Sequence, residues 1–134
     1  MEVIIVSPSL DASENVSGIS SVVNFILDKN KDINYIHFEL GKKDKEKGGI
    51  YRLIRTIVRL YKWVIFLFRN RGDIIHYNFP LSKLSIIRDS IFILMAYLCK
   101  RKVIIHLHGG SFLMNKATPL IINKILNIIF SFCQ

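Results

Sequence analysis

The chain is short of acid, of cysteine and of turn-forming residues. Ten Asp and Glu stand against 19 Lys and Arg in 134 residues, a formal net charge of +9. Two cysteines, Cys99 and Cys133, show neither a metal-ligand spacing nor a disulfide pattern, which makes a reducing cytoplasm the expected compartment. Three prolines and seven glycines exclude a collagenous or low-complexity chain. No apolar run approaches the ~18 residues of a membrane span. The longest, SIFILMAYLC over 90–99, is closed off by Arg88 and Asp89 before it and by Lys100, Arg101 and Lys102 after it. The first residues, Glu2 followed at once by an apolar run, do not have the form of a secretory leader. Dinucleotide, P-loop and nucleophile-elbow signatures are all missing, so nothing in the spacing points to nucleotide hydrolysis or a serine nucleophile.

What remains is a 51% hydrophobic chain of one domain's length. Apolar, β-branched runs alternate with helical spacing. VIIVS at 3–7 reads as a strand buried on both faces, and ISSVVNFILDKN reads as the first helix. INYIHFEL at 33–40 is a second strand, residues 50–70 a long helix, and DIIHYNF at 73–79 a third strand. A helix over 83–100 and the strand KVIIHLH at 102–108 follow. A last helix is expected to open with Thr118 as N-cap and Pro119 at its first position. The order βαβαβαβα predicts an α/β fold, a Rossmann-like parallel sheet of about four strands with helices on both faces. The last helix is apolar nearly all round and lacks a capping glycine. Residues 1–134 are therefore expected to be one partial domain that further protein covers.

Parallel sheets bind ligands beyond the carboxyl ends of their strands, where loop amides and helix starts converge. Here those ends bring together the Pro8–Gly18 loop, the segment Tyr77-Asn78-Phe79-Pro80, and His108-Gly109-Gly110. Ser17 and Gly18 stand where the first helix begins, a place that suits an anion or serves as a plain N-cap. His106 and His108 share one face of their strand, but a zinc site needs further ligands and no acid or thiol cluster accompanies them. No metal is expected. His37, His76 and His106 read as core histidines, and His108, at a strand end before two glycines, as the one placed to meet a polar ligand.

The long helix carries a second signal. Between Lys42 and Arg71 ten residues are basic and only Asp44 and Glu46 are acidic. Arg52, Arg55, Arg59, Lys62 and Arg69 fall within one arc of about 100° on a helical wheel, against a broad apolar body. This is either the wet face of a sheet-packing helix or a stripe for an anionic membrane surface. No nucleic-acid motif accompanies the charge, so nucleic acid is not an expected partner.

With VIIVSPS, SGISSVVNFIL, DIIHYNFP and KVIIHLHGGSF in view, the chain resembles the N-terminal half of a GT-B glycosyltransferase of the family 4 type, over essentially its whole length. The D-x-x-H strand and the apolar strand ending in His-Gly are the most specific parts. Ser17-Gly18 departs from the two glycines the family often has there. The resemblance implies retaining transfer from a nucleotide-sugar donor to a glycan or lipid-linked acceptor, as in polysaccharide biosynthesis, with no bound metal or other cofactor. It places His108 in the interdomain cleft as the catalytic group. Ser17, Gly18, Gly109 and Gly110 become sugar- or phosphate-facing, and Asn78 and Phe79 line the acceptor side. It also implies a missing C-terminal donor-binding domain, so this chain alone is expected to be inactive. Lipid-linked acceptors would bring Arg52, Arg55, Arg59 and Lys62 against the cytoplasmic membrane face. Two other readings remain at this point: a non-catalytic module that binds an anionic membrane or protein partner through 42–71, and a small flavodoxin-like nucleotide binder.

Overall fold

The structure, a computed structural model, describes residues 1–41, 49–70, 72, 74–109 and 119–132. Lys42, Lys43, Lys45, Lys47, Arg71, Gly110 and Thr118 lie outside the described residues. The elements run β1 (Glu2–Ser7), α1 (Gly18–Lys29), β2 (Asn34–Glu39), α2 (Ile50–Arg69), β3 (Ile74–Pro80), α3 (Lys83–Leu98), β4 (Lys102–His108) and α4 (Leu120–Ser131). All four strands are parallel, in the order β2-β1-β3-β4. The fold is α/β and Rossmann-like, as the alternation of the sequence predicts.

Strand parity divides the molecule, because successive side chains leave opposite faces of a sheet. Ile4 and Val6 of β1, Phe38 of β2, Ile75, Tyr77 and Phe79 of β3, and Val103 of β4 join one core with Trp63 and Leu67 of α2 and Phe92 and Ile93 of α3. Ile122, Leu126 and Ile129 of α4 close it. Val3 and Ile5 alternate with those β1 residues and are buried outside that cluster, as is Val23 of α1. Helices therefore flank both faces, with α1 opposite the other three.

The main core centres on Trp63. Its ring is fully buried, 4.6 Å from Phe38 and 6.5 Å from Phe92, and its indole N–H donates to the Phe92 carbonyl at 3.0 Å. Arg101, just before β4, donates through Nη2 to the carbonyls of Leu67 and Asn70, both at 2.9 Å. A cation there satisfies the orphan carbonyls at the end of α2 and opposes their partial negative charge.

Helix α3 ends with Lys100 at φ 57°, where Lys100 N–H donates to Tyr97 O and Arg101 N–H to Ala96 O. This is the left-handed closing residue of a Schellman turn, a position that suits glycine. Lys100→Gly is expected to raise the unfolding free energy by about 0.5–1 kcal/mol, read from a urea melt with an unchanged slope.

Two expectations change at the helices. Pro119 takes the cap position of α4, with φ −53° and ψ 138°, rather than its first helical position. An extended ψ lets the ring precede the helix without costing it an N–H. In α2 the broad apolar body does not all pack: Leu53, Ile54, Ile57, Val58 and Phe68 are exposed, and only Trp63 and Leu67 are fully buried. A helix crossing a sheet buries only the strip that faces it, so the rest of the apolar girth stays outside.

Candidate functional site

The chain leaves β1 towards α1 and leaves β3 towards α3, and these two strands are neighbours. Where the outgoing connections of adjacent strands diverge, a crevice opens at their carboxyl ends. A cavity of about 270 Å³ lies there, with Asn15, Ser17, Gly41, Asn78, Ser85 and Arg88 on its wall.

The loop from Pro8 to Ser17 forms one side of it by hydrogen bonding to itself. Ser17 caps α1: its Oγ accepts from the Ser20 N–H at 3.2 Å. The Asn15 amide donates to Ser20 Oγ at 3.1 Å, and Ser20 Oγ donates to the Ser9 carbonyl at 2.8 Å. Ser9 Oγ reaches Glu14 at 3.1 Å. Ser9, Asn15 and Ser20 are all buried, so these bonds replace water and hold the loop in one shape. Gly41, after β2, closes against Pro8. A Cβ on Gly41 would stand 2.9 Å from the Pro8 Cβ, so no larger residue fits without moving the cavity wall.

Asn78 sits at the centre. Its amide N–H donates to the Val6 carbonyl at 3.0 Å, which orients the amide, since a carbonyl can only accept. Asn78 Oδ1 is then the acceptor for His108, whose Nε2–H donates to it at 2.8 Å. That bond fixes the His108 tautomer and leaves Nδ1 as an acceptor. Burial first, and then His106, lower the His108 pKa, which keeps the ring neutral near pH 7.

His108 does not stand alone. The His106 and His108 rings lie tilted against each other with centres 4.2 Å apart, and His76, stacked on His106, has Nε2 3.3 Å from His106 Nδ1. All three leave the sheet on the face away from the main core, so they are half-buried surface groups there and not core histidines. His37 shares that face and meets Ser7 Oγ at 2.9 Å. Among the described residues, no group of three or more His, Cys, Asp or Glu side chains is arranged to hold a metal ion.

Burial lowers the pKa of His37, His76 and His108. The unfolded chain therefore takes up protons at these rings more readily than the folded one. Stability is full above the ordinary histidine value of about 6.5 and is lost as pH falls through the lowered folded values. A thermal melt should drop as pH falls below the ordinary histidine value of about 6.5, and His76→Gln should flatten that drop.

The third wall is α3. Arg88 holds Asp89 with Nε to Oδ1 and with Nη2 to Oδ2 at 3.0 Å, and the Asp89 side chain is 1% exposed. Burial raises the Asp89 pKa while the guanidinium opposes that rise. The same carboxylate, after burial, holds the Tyr77 hydroxyl well above its ordinary value.

The expected site residues therefore divide. Ser17 and Asn78 line the cavity, and His108 is joined to it through Asn78. Phe79 does not line it: parity turns the ring into the main core, fully buried and 6.3 Å from Tyr77. Gly18 is exposed, and a Cβ there would meet nothing within 4 Å. Gly18→Ala should fold normally and gain about 0.5 kcal/mol, because alanine loses less entropy at a helix start. Gly109, at φ +78°, supplies the left-handed turn after β4. Sequence reading missed Asn15 and Arg88, and the Pro8–Gly18 loop with its Ser and Asn content was the available signal for the first.

Comparison with protein-family models, with curated proteins and with solved structures finds no match. The reading of the site therefore rests on its own chemistry and on the sequence resemblance.

Proposed function

We propose that the crevice binds a sugar, and that the chain is the acceptor-side N-terminal half of a retaining GT-B glycosyltransferase. The observation that carries this reading is Asn78 on the cavity wall, its amide fixed by hydrogen bonds to Val6 and His108. A sugar presents many hydroxyl groups, each both donor and acceptor. A wall of fixed amide, hydroxyl and guanidinium groups matches them without needing charge neutralisation. Asn15 and Asn78 are buried, and Ser17 is held by its cap, so they are organised before a ligand arrives. The neutral His108 ring, locked as the Nε2–H tautomer, holds the Asn78 amide in place, and the Arg88 guanidinium, paired with Asp89, stands on the same wall.

In the transfer reaction, a nucleotide-sugar donor would be held largely by a second domain, and this half would place the acceptor hydroxyl. His108 acts there as a hydrogen-bonding group at the cleft, and no metal or other cofactor is required of these residues. The test is saturation-transfer NMR of the chain with neutral oligosaccharides and with nucleotide-sugars. Transfer to sugar-ring protons is expected, with loss of most of it in Asn78→Ala once circular dichroism shows that variant folded. Signal confined to the nucleotide base, or unchanged in Asn78→Ala, would favour the flavodoxin-like reading.

A further inference from the structure

The histidines of β3 and β4 form a row that ends at the crevice. His106 and His108 lie two residues apart on β4, and His76 lies on the same face of β3. His76 Nε2 meets His106 Nδ1 at 3.3 Å, and the His108 ring leans on His106 with centres 4.2 Å apart. His108 Nε2 in turn holds Asn78 Oδ1 at 2.8 Å. Asn78 is buried and lines the cavity. Four side chains thus connect the half-buried His76 ring to the cavity wall.

The row takes one proton more easily than two. A nitrogen-to-nitrogen bond between imidazoles needs one N–H and one lone pair. The His76–His106 pair can accept a first proton and keep its bond, because the charge enters the donor ring at its other nitrogen. A second proton leaves two N–H groups face to face, and the bond is lost. Two cationic rings then stand with centres 5.5 Å apart, beside the ring of His108.

The surroundings do little to offset that charge. On this face β4 adds the Lys102 cation, and β1 adds Val3, Ile5 and Ser7. Beyond β1, β2 adds Tyr35, His37 and Glu39, and Glu39 is paired with Arg59. Helix α1 buries Ser20 and Val23, neither of which titrates near neutral pH. Among the described residues, the charges that act on His76 are those of His106 and His108, and the one that acts on His108 is that of His106.

We propose that the row is a proton-operated switch on the crevice: a second proton parts His76 from His106, drives His108 away, and frees the Asn78 amide from its fixed orientation. Asn78 then keeps only its bond to the Val6 carbonyl, and the cavity loses an organised wall. Acid therefore weakens binding there. As regulation of a sugar site the switch rests on the function proposed above, but the link from the row to Asn78 needs no ligand.

The experiment follows the imidazole rings and the Asn78 side-chain amide by ¹H–¹⁵N NMR from about pH 8 to about pH 5, first without ligand. Circular dichroism confirms the fold at each point. The Asn78 amide is expected to move with the titration of His76, two rings away, as well as with that of His108. His106→Gln removes the middle ring. Asn78 should then follow His108 alone, and the midpoints of His76 and His108 should both rise. His76→Gln, whose amide takes up no proton, should likewise leave Asn78 following His108 alone. With a neutral oligosaccharide added, affinity should fall about tenfold per pH unit for each proton that binding expels. An Asn78 amide that stays still while His76 titrates, or that behaves identically in both variants and the wild type, overturns the switch. So does sugar affinity that stays constant through the titration. A moving amide with no sugar bound at any pH upholds the link to Asn78 and overturns the sugar reading instead.

Discussion

Trp63→Ala is expected to remove about 3–5 kcal/mol of stability, the largest loss of any single truncation in the main core. The ring is fully buried, and it touches elements from three parts of the sequence: Phe38 of β2, Phe66 of its own helix and Phe92 of α3. Its removal leaves a cavity between sheet and helices that rigid strands cannot close. It also takes away the indole donor that the Phe92 carbonyl receives. A domain of this size has only about 5–15 kcal/mol in total, so the variant should melt on the order of 15 °C lower. Trp63→Phe keeps most of the volume and loses the donor, and should cost only about 1–2 kcal/mol. A urea series separates these cases. Equal losses for the two variants would mean that the hydrogen bond, and not the packing, dominates.

Arg88→Ala should be nearly as damaging at neutral pH, at about 3 kcal/mol, for a different reason. It leaves Asp89 buried without its counter-charge, and an uncompensated buried carboxylate is among the costliest single defects. The pH dependence identifies the cause. Asp89 already has a raised pKa in the folded chain, so the folded state holds its proton more tightly than the unfolded one. That cost is fully present above the folded value and is relieved as pH falls towards the ordinary carboxylate range near 4. Loss of Arg88 raises the folded value further. The gap between wild type and Arg88→Ala should therefore narrow as pH is lowered, and Asp89→Asn should remove most of the narrowing. A gap that is constant with pH would make Arg88 a packing residue only. Because Arg88 also lines the cavity, sugar binding in this variant should be compared only where it is folded.

The architecture was legible because the periods of the apolar residues change cleanly from strand to helix. VIIVS and KVIIHLH have the β-branched density of strands, and 50–70 has unbroken helical spacing. Alternation implied that the strands run parallel, but not their order β2-β1-β3-β4, which depends on which side of β1 each crossover returns. Parity was harder. Asn78 and Phe79 are adjacent in sequence, yet one lines the crevice and the other fills the core, because neighbouring strand residues point to opposite faces. A loop motif alone does not say which of the two a ligand meets. The histidines failed for a related reason. The apolar neighbours of His76 and His106 read as core, but both share the opposite face with His108, where the His76 and His106 rings stack and the His108 ring lies tilted against His106. Arg88 was invisible because its role depends on α3 passing the end of β3, a long-range placement no local pattern encodes. Arg59 shows the same limit: the wheel puts it with the other cations, and the carbonyl of Gly41 draws it inward.

The most direct measurement is a residue-resolved ¹H–¹⁵N titration of the chain with a neutral oligosaccharide and with a nucleotide-sugar. The account expects shifts concentrated at Asn15, Ser17, Ser85 and the Asn78 side-chain amide, with the His108 ring following through its bond to Asn78. Shifts confined to α2 and α4, or no shifts at millimolar ligand, would contradict a sugar site at the β1–β3 crevice.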